Sequence, residues 1–308
     1  MCKGAKAGMM AGPEIGKMAG GPLRALKEGT CAQLRILDLH SGEDRLLLQS
    51  PTMIEAPNWS PDGASIYVNG QGRIGRVDVE SAGLDWIVVE GLETANNDHL
   101  ISPDGKTLYL TADGAVWAVA ANGGVPNRLT PQGVMRYYLH AISPDGALMA
   151  CTTIDRDDPK RKWGLRLVPV TGGSGSALIA GTAPVDGPEW SVDGQWIWFN
   201  GEIGADIPGH ARLFRIRPDG RDLQQMSDDE TVDWFPHASP DGEYVAYIAY
   251  PPGTLGHPGD LPVSLRLMSA QGGPWRTLAT LQGGQGTLNV NSWSPCSRYL
   301  AYMAYPDA

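Results

Sequence analysis

Asn58-Trp59-Ser60-Pro61-Asp62-Gly63 is the phrase on which the fold turns. Proline fixes φ, aspartate accepts hydrogen bonds from the backbone that follows it, and glycine tolerates positive φ, so Pro-Asp-Gly specifies a tight turn between two strands. The phrase returns as Ser102-Pro103-Asp104-Gly105, Ser143-Pro144-Asp145-Gly146, Ser191-Val192-Asp193-Gly194 and Ser239-Pro240-Asp241-Gly242, and in degraded form as Ser294-Pro295-Cys296-Ser297. The second residues of these six copies are spaced by 42, 41, 48, 48 and 55. Periods in the forties, with short strands around each turn, predict a β-propeller with one four-stranded blade per repeat.

The residues between the turns agree. Lys106–Leu110 and Ala115–Val119 alternate apolar and polar side chains and are rich in β-formers, and no window shows a helical period. With 40 glycines and 24 prolines in 308 residues, a helical bundle is excluded, and 42% hydrophobic residues exclude a disordered chain. The last repeat reaches the C-terminus with two strands. Leu34–Leu39 and Arg45–Leu48, near the N-terminus, supply the outer two and remove an unpaired sheet edge. The expected fold is all-β: a single six-bladed β-propeller over residues 31–308, with the N-terminal strands closing the last blade and residues 1–30 as a flexible tail.

The Trp-Ser-Pro-Asp-Gly phrase followed by a strand resembles the repeat of the TolB-like propellers, over nearly all the chain beyond residue 30. Six-bladed relatives in that superfamily include oligogalacturonate lyases, through which the resemblance implies a divalent metal ion. The sequence shows neither the separate N-terminal α/β domain of TolB nor an export signal. Cys2, Cys31, Cys151 and Cys296 are scattered without metal-site or paired spacing. Free thiols in a reducing compartment, and hence a cytoplasmic location, are expected. No apolar run is long enough for a membrane helix. A net charge of −10 argues against nucleic acid as a partner, because phosphate binding is driven by clustered cations.

Strand order locates a site. If each blade runs from the axis outward, the Pro-Asp-Gly turns share one face of the disc. The loops between second and third strands then share the other face with the entries to the inner strands. That face carries the long loops 155–162, 201–210 and 251–258, and long loops on a rigid scaffold are where function concentrates. Five of the six histidines fall on it: His99, His140 and His237 at strand entries, His210 and His257 in loops.

Several imidazoles and a carboxylate around a channel suit Zn, Mn or a similar divalent ion. The expected ligands are His99, His140, His237 and Glu189. Glu189 doubles as general base, His257 serves as acid and Arg156 as anion clamp. Glu55, Asp98, Tyr138, Trp234 and Asn291 are expected to bind a small-molecule substrate. One difficulty is parity: His99 and His140 stand three residues before the repeat serine, Glu189 and His237 two, and adjacent strand residues point to opposite faces.

The first functional expectation is a metal-assisted hydrolase of an ester, lactone or phosphoester at the channel mouth. Alternatives are a lyase acting on acidic sugars by β-elimination and a non-catalytic platform that docks a protein partner. Gly70-Gln71-Gly72-Arg73-Ile74-Gly75 matches a dinucleotide fingerprint but runs into a strand instead of a helix, so a hairpin is expected there. Lys160-Arg161-Lys162 is expected to be a solvated loop tip. Trp59, Trp190 and Trp293 are expected to pack between blades, with Trp163 and Trp234 better placed to stack on a ligand.

Overall fold

Each intact repeat serine closes the turn it opens. Its hydroxyl donates to the aspartate two residues on, at 2.6 Å in the first four copies and 2.5 Å in Ser239–Asp241. The same oxygen accepts the backbone N–H five residues on, where the next strand starts. The glycines of these five turns take positive φ. In the sixth copy Cys296 stands in for aspartate, its sulfur 3.3 Å from Ser294 Oγ, and Ser297 takes the left-handed conformation at φ 61°. The Ser297 hydroxyl oxygen accepts the N–H of Asp241 at 2.9 Å, joining the last two turns.

The computed structural model describes residues 23–158 and 162–308. Residues 1–22 of the expected tail, Cys2 among them, and Pro159, Lys160 and Arg161 lie outside the described residues. Among the described residues there is no helix. Five antiparallel four-stranded sheets follow one another, each ordered from the axis outward. Blade I is Glu55–Trp59, Ser65–Gly70, Arg73–Asp78 and Leu84–Ile87. Blade II is Ala95–Ile101, Thr107–Ala112, Ala115–Ala120 and Asn127–Arg128. Blade III is Met135–Ile142, Leu148–Asp155, Trp163–Pro169 and Ser176–Gly181. Blade IV is Val185–Trp190, Ile197–Gly201, Arg212–Ile216 and Gln224–Gln225, and blade V is Val232–Ala238, Tyr244–Tyr250, Leu261–Ser269 and Trp275–Gly283. The dinucleotide-like phrase is the hairpin turn inside blade I, with Gln71 and Gly72 both at positive φ.

Blade VI closes the ring as expected: Tyr299–Ala304 pairs with Ala32–Asp38, which pairs with Asp44–Ser50. Its innermost segment departs from expectation. Residues 287–293 form no regular strand and meet Tyr299–Ala304 through an isolated bridge between Trp293 and Leu300 and a few backbone hydrogen bonds. This stretch leans into the axis instead.

The apolar core is divided among the seams between neighbouring blades. Trp59 packs with Leu34 and Met303 between blades VI and I, Trp190 with Leu165 and Phe199 between III and IV, and Trp293 with Phe235 and Leu300 between V and VI. Trp163 joins the III–IV seam and is buried. The inner strands of blades I to V each carry a register shift, between Glu55/Asn58, Ala95/His99, Leu139/Ala141, Asp186/Glu189 and Trp234/His237. A bulge adds one residue and resets which way the following side chains point. It resolves the parity difficulty for His140, which falls between the paired residues Leu139 and Ala141.

Two substitutions test the turn chemistry. Ser143→Ala removes all three hydrogen bonds of its hydroxyl, to Asp145 and from the Ala147 and Leu148 N–H groups, and lowers unfolding free energy by about 1–2 kcal/mol. Cys296→Asp replaces the weaker Ser294–Cys296 contact of the sixth turn with the Ser–Asp bond of the others and raises that free energy by about 0.5–1 kcal/mol. Denaturant midpoints at constant slope measure both, and no gain from Cys296→Asp counts against the Ser–Asp bond as the feature that stabilises the turn.

Candidate functional site

The long-loop face has a polar mouth whose side chains are committed to one another and to residues 284–292. The segment's carbonyls reach across the axis. Asn289 O accepts from His140 Nδ1 of blade III at 3.3 Å, and Leu288 O from His237 Nε2 of blade V at 3.0 Å. Asn291 Nδ2 donates to Glu189 Oε1 of blade IV and to Ala238 O, both at 3.1 Å, while Asn291 O accepts from Asn58 Nδ2 of blade I at 2.7 Å. Val290 packs with Ala56, Leu100 and Leu139 of blades I, II and III. The chain itself therefore occupies the channel.

Two buried histidine–carboxylate pairs stand around it. His140 Nε2 lies 3.0 Å from Asp186 Oδ1, which also accepts the Thr152 hydroxyl and the Gly187 N–H, both at 2.8 Å. Burial alone would depress the His140 imidazole, but the bond to Asp186 and the charge of Asp98 raise it to about 9. The geometry explains why: both ring nitrogens face acceptors, and the imidazolium donates to both. Burial would raise the Asp186 carboxyl, and the hydrogen bond from His140 instead holds it below the usual range. Asp98, buried and bonded to Asn96 at 2.6 Å, is pushed up to about 6 by burial, with Asp186 adding and His140 opposing. The second pair is His237 Nδ1 with Glu189 Oε2 at 3.2 Å.

His99 belongs to neither pair. It is fully buried with the Tyr67 backbone of blade I as its polar neighbour, and burial lowers it to about 4, with Tyr67 opposing. The four expected metal ligands thus lie in three places. Among the described residues, no group of three or more His, Cys, Asp or Glu side chains is arranged to hold a metal ion. The expected set does not fit a divalent cation, because His140, His237 and Glu189 are engaged with acid, base or backbone partners and His99 faces a seam.

His257 does reach the mouth. Its ring packs on Trp234 with centroids 4.4 Å apart and edge-on to Phe235 at 5.1 Å, Nδ1 bonds Gln285 Oε1, and Nε2 stands 3.7 Å from Asp186 Oδ2. Burial pushes this imidazole down, with Asp186 opposing. Trp234, expected to stack on a ligand, packs at a tilt of 55° against His257. Tyr138 is buried, and burial together with the charge of Asp98 pushes its phenol up to about 12. Arg156 is exposed at the start of its loop, and His210 Nε2 meets Asp229 O at 3.0 Å. A cavity of about 20 Å³ beside Asp186 and Trp234 has room for about one water, against the several hundred Å³ of ordinary ligand sites. A larger cavity of about 170 Å³, lined by Trp86, Arg73 and Glu93 among others, lies between blades I and II and shares no residue with the mouth.

Sequence reasoning missed Arg24, which it placed in the tail. Its guanidinium sits on the mouth, 2.9 Å from Glu55 Oε1 and 3.0 Å from Asp260 Oδ1, donates to Gln285 O and lies 4.5 Å over the Tyr305 ring. Glu55 is thereby occupied, and Asn69 Nδ2 donates to its other oxygen at 3.4 Å. A lone arginine in a Gly- and Met-rich stretch carries no local signal, and nothing in its neighbours announces the partner.

Comparison with known proteins places this geometry. No protein-family model matches the chain. Uncharacterized protein Atu1656 of Agrobacterium fabrum is 35% identical over 281 residues, covering 89% of this chain and 92% of that one. The solved structure of a protein assigned as a TolB from Agrobacterium tumefaciens is 32% identical, with a TM-score of 0.84 over 91% of this chain and 99% of that one. An oligogalacturonate lyase solved in complex with manganese is 16% identical, with a TM-score of 0.56 over 86% of this chain and 75% of that one, a likeness of fold.

The two histidines predict opposite pH limbs. The raised His140 contributes stability that is fully present below 6.5 and is lost as pH rises through about 9. The lowered His99 makes stability fall as pH drops from 6.5 toward 4. In urea titrations across this range, His140→Gln flattens the alkaline limb. His99→Leu flattens the acid limb and raises neutral-pH stability by about 1 kcal/mol. Limbs unchanged in both variants contradict these assignments.

Proposed function

The chain belongs to the TolB-like family of six-bladed β-propellers, and on that footing we propose that it is a non-catalytic platform that binds a peptide or protein segment on its long-loop face. One observation carries this reading: residues 288–292 fill the axis, and their main chain engages the side chains that a channel enzyme would keep for substrate. The metal-assisted hydrolase reading loses its ligand set in the same arrangement.

The face has what a docking surface needs. Ile207 in the blade IV loop is 60% exposed and Leu255 in the blade V loop 41% exposed. The loops touch, because the Leu255 side chain lies where a Cβ on Gly209 would stand. Val134, also exposed, ends the adjoining connection from blade II to blade III. Apolar groups projecting from a polar, charged rim suit an interface. Described Cys31, Cys151 and Cys296 are free, and a reducing, cytoplasmic setting remains part of the proposal.

A second reading keeps one supporting observation. Asp98, His140, Asp186 and His257 have proton affinities driven apart by their surroundings, which is how acid–base pairs are made. Under it the loop 251–260 opens and the cluster acts without a metal, with acidic sugar β-elimination as the candidate reaction.

Panning a random peptide library on the immobilised protein separates the two. The platform reading expects selected peptides whose binding falls about tenfold or more in Leu255→Asp and Ile207→Asp and stays unchanged in Val192→Asp on the opposite face. Peptides indifferent to all three, or formation of unsaturated products from uronate oligomers that His140→Gln abolishes, would decide against it.

A further inference from the structure

The surroundings of Arg24 have the composition of a recognition site. Two carboxylates, one backbone carbonyl and one aromatic face converge on its guanidinium, whose planar fork satisfies several acceptors at once. Burial would lower the affinity of this group for its proton, but the Tyr305 and Glu55 surroundings raise it above the ordinary value.

Three of the four walls are held by contacts that do not depend on Arg24, and the fourth, Asp260, stands in the loop before the third strand of blade V. Glu55 opens the inner strand of blade I and is anchored by Asn69. The Tyr305 hydroxyl donates to Ile54 O at 3.2 Å. The loop carrying the Gln285 carbonyl is fixed on both sides, because Gly286 N donates to Asn289 Oδ1 at 2.6 Å and Gly286 O accepts from Ala56 N at 2.7 Å. Glycine at 259 leaves the room, since a Cβ there would overlap the guanidinium. The seat is preorganised.

The occupant comes from a segment outside any strand, residues 23–29, where Leu23 is 50% exposed and Ala25, Lys27, Glu28 and Gly29 are exposed too. Removing this one side chain leaves Glu55 and Asp260 facing each other without a counter-charge, in a chain of net charge −10. A replacing cation would neutralise both, and the aromatic face and carbonyl favour a flat, multiply donating one over an ammonium.

We propose that Glu55, Asp260, Tyr305 and the Gln285 carbonyl form a binding site for an alkylguanidinium group, an arginine side chain on the partner segment, and that Arg24 is its resident competitor. The identity of the partner rests on the peptide-binding reading. The seat itself does not, so the two can fail separately. Binding by an outside arginine is weakened by the fraction of time Arg24 is seated, and displacement of Arg24 frees its side chain from the mouth.

Calorimetric titration with N-acetylarginine methylamide and with ethylguanidinium tests the seat. Arg24→Ala is expected to bind both saturably, about tenfold or more tighter than the wild type. Propylammonium should bind weakly, and Arg24→Ala with Glu55→Gln should bind neither guanidinium. Tighter binding of the peptidyl probe than of ethylguanidinium identifies an arginine in a chain as the ligand. Equal binding identifies a free guanidine compound, which retains the seat and removes the peptide partner from it. Circular dichroism establishes that the variants are folded, and Arg24→Gln replaces Arg24→Ala should the latter unfold. A folded Arg24 variant that binds guanidinium no better than the wild type, or binds it equally well without Glu55, overturns the proposal.

Discussion

Occupation of the axis by residues 288–292 is the constraint to which the rest of the mouth conforms. A backbone drawn out of its sheet and into the centre of a ring carries N–H and C=O groups that cannot stay unpaired in a buried place. The inner strands supply partners from four directions: Asn58 from blade I, His140 from III, Glu189 from IV, and His237 with the Ala238 carbonyl from V. Histidines and acids at the strand entries therefore serve this segment before they can serve a ligand. Asp186 follows in turn, since the imidazolium held between it and the Asn289 carbonyl needs a buried counter-charge.

The ring's organisation was legible in the sequence because it rests on local chemistry. Ser-Pro-Asp-Gly closes the same turn wherever it stands, and the two-strand deficit at the C-terminus matches the two strands near the N-terminus. The candidate site was legible only in its location. His140, Asp98, Tyr138 and His257 do gather at the mouth, but what each one does depends on contacts over long sequence distances, 149 residues in the case of His140 and Asn289. Bulges blurred the reading further. A period-2 argument counts residues from the serine, whereas each of the first five inner strands shifts register close to the residue in question. The 55-residue last repeat and its Gly283-Gly284-Gln285-Gly286 run were the available sign that the sixth inner segment differs, and they read equally well as an ordinary loop.

Arg24 and residues 288–292 share a logic. Each is a piece of the chain lodged where a propeller ordinarily presents its mouth to something else, and each is bound by groups that would suit a foreign ligand. They differ in how firmly they are held. Residues 288–292 are flanked by Tyr299–Ala304 and tied to four blades, so withdrawing them would leave buried polar partners in all four unpaired. Arg24 enters from residues that form no strand, and the segment is held by its guanidinium, by Leu26 against the seam of blades VI and I and by the Gly29 carbonyl on Ala308 N. Of the two, the arginine can leave while the fold persists.

That difference separates binding from catalysis at this face. A catalytic centre requires a reactive group free to meet substrate and space in which to meet it. Among the described residues, the unpaired polar atoms near the mouth include His257 Nε2 and Trp234 Nε1, beside a cavity of about 20 Å³. Loop movement could enlarge that space, but only by lifting His257 from Trp234, Phe235 and Gln285, and so removing one member of the acid–base cluster it would expose. Displacing Arg24 breaks no such cluster. It uncovers two carboxylates and an aromatic ring that are already in position, next to loops whose apolar residues face solvent. The face is therefore better constituted to exchange one of its own side chains for a partner's than to admit a substrate to its interior.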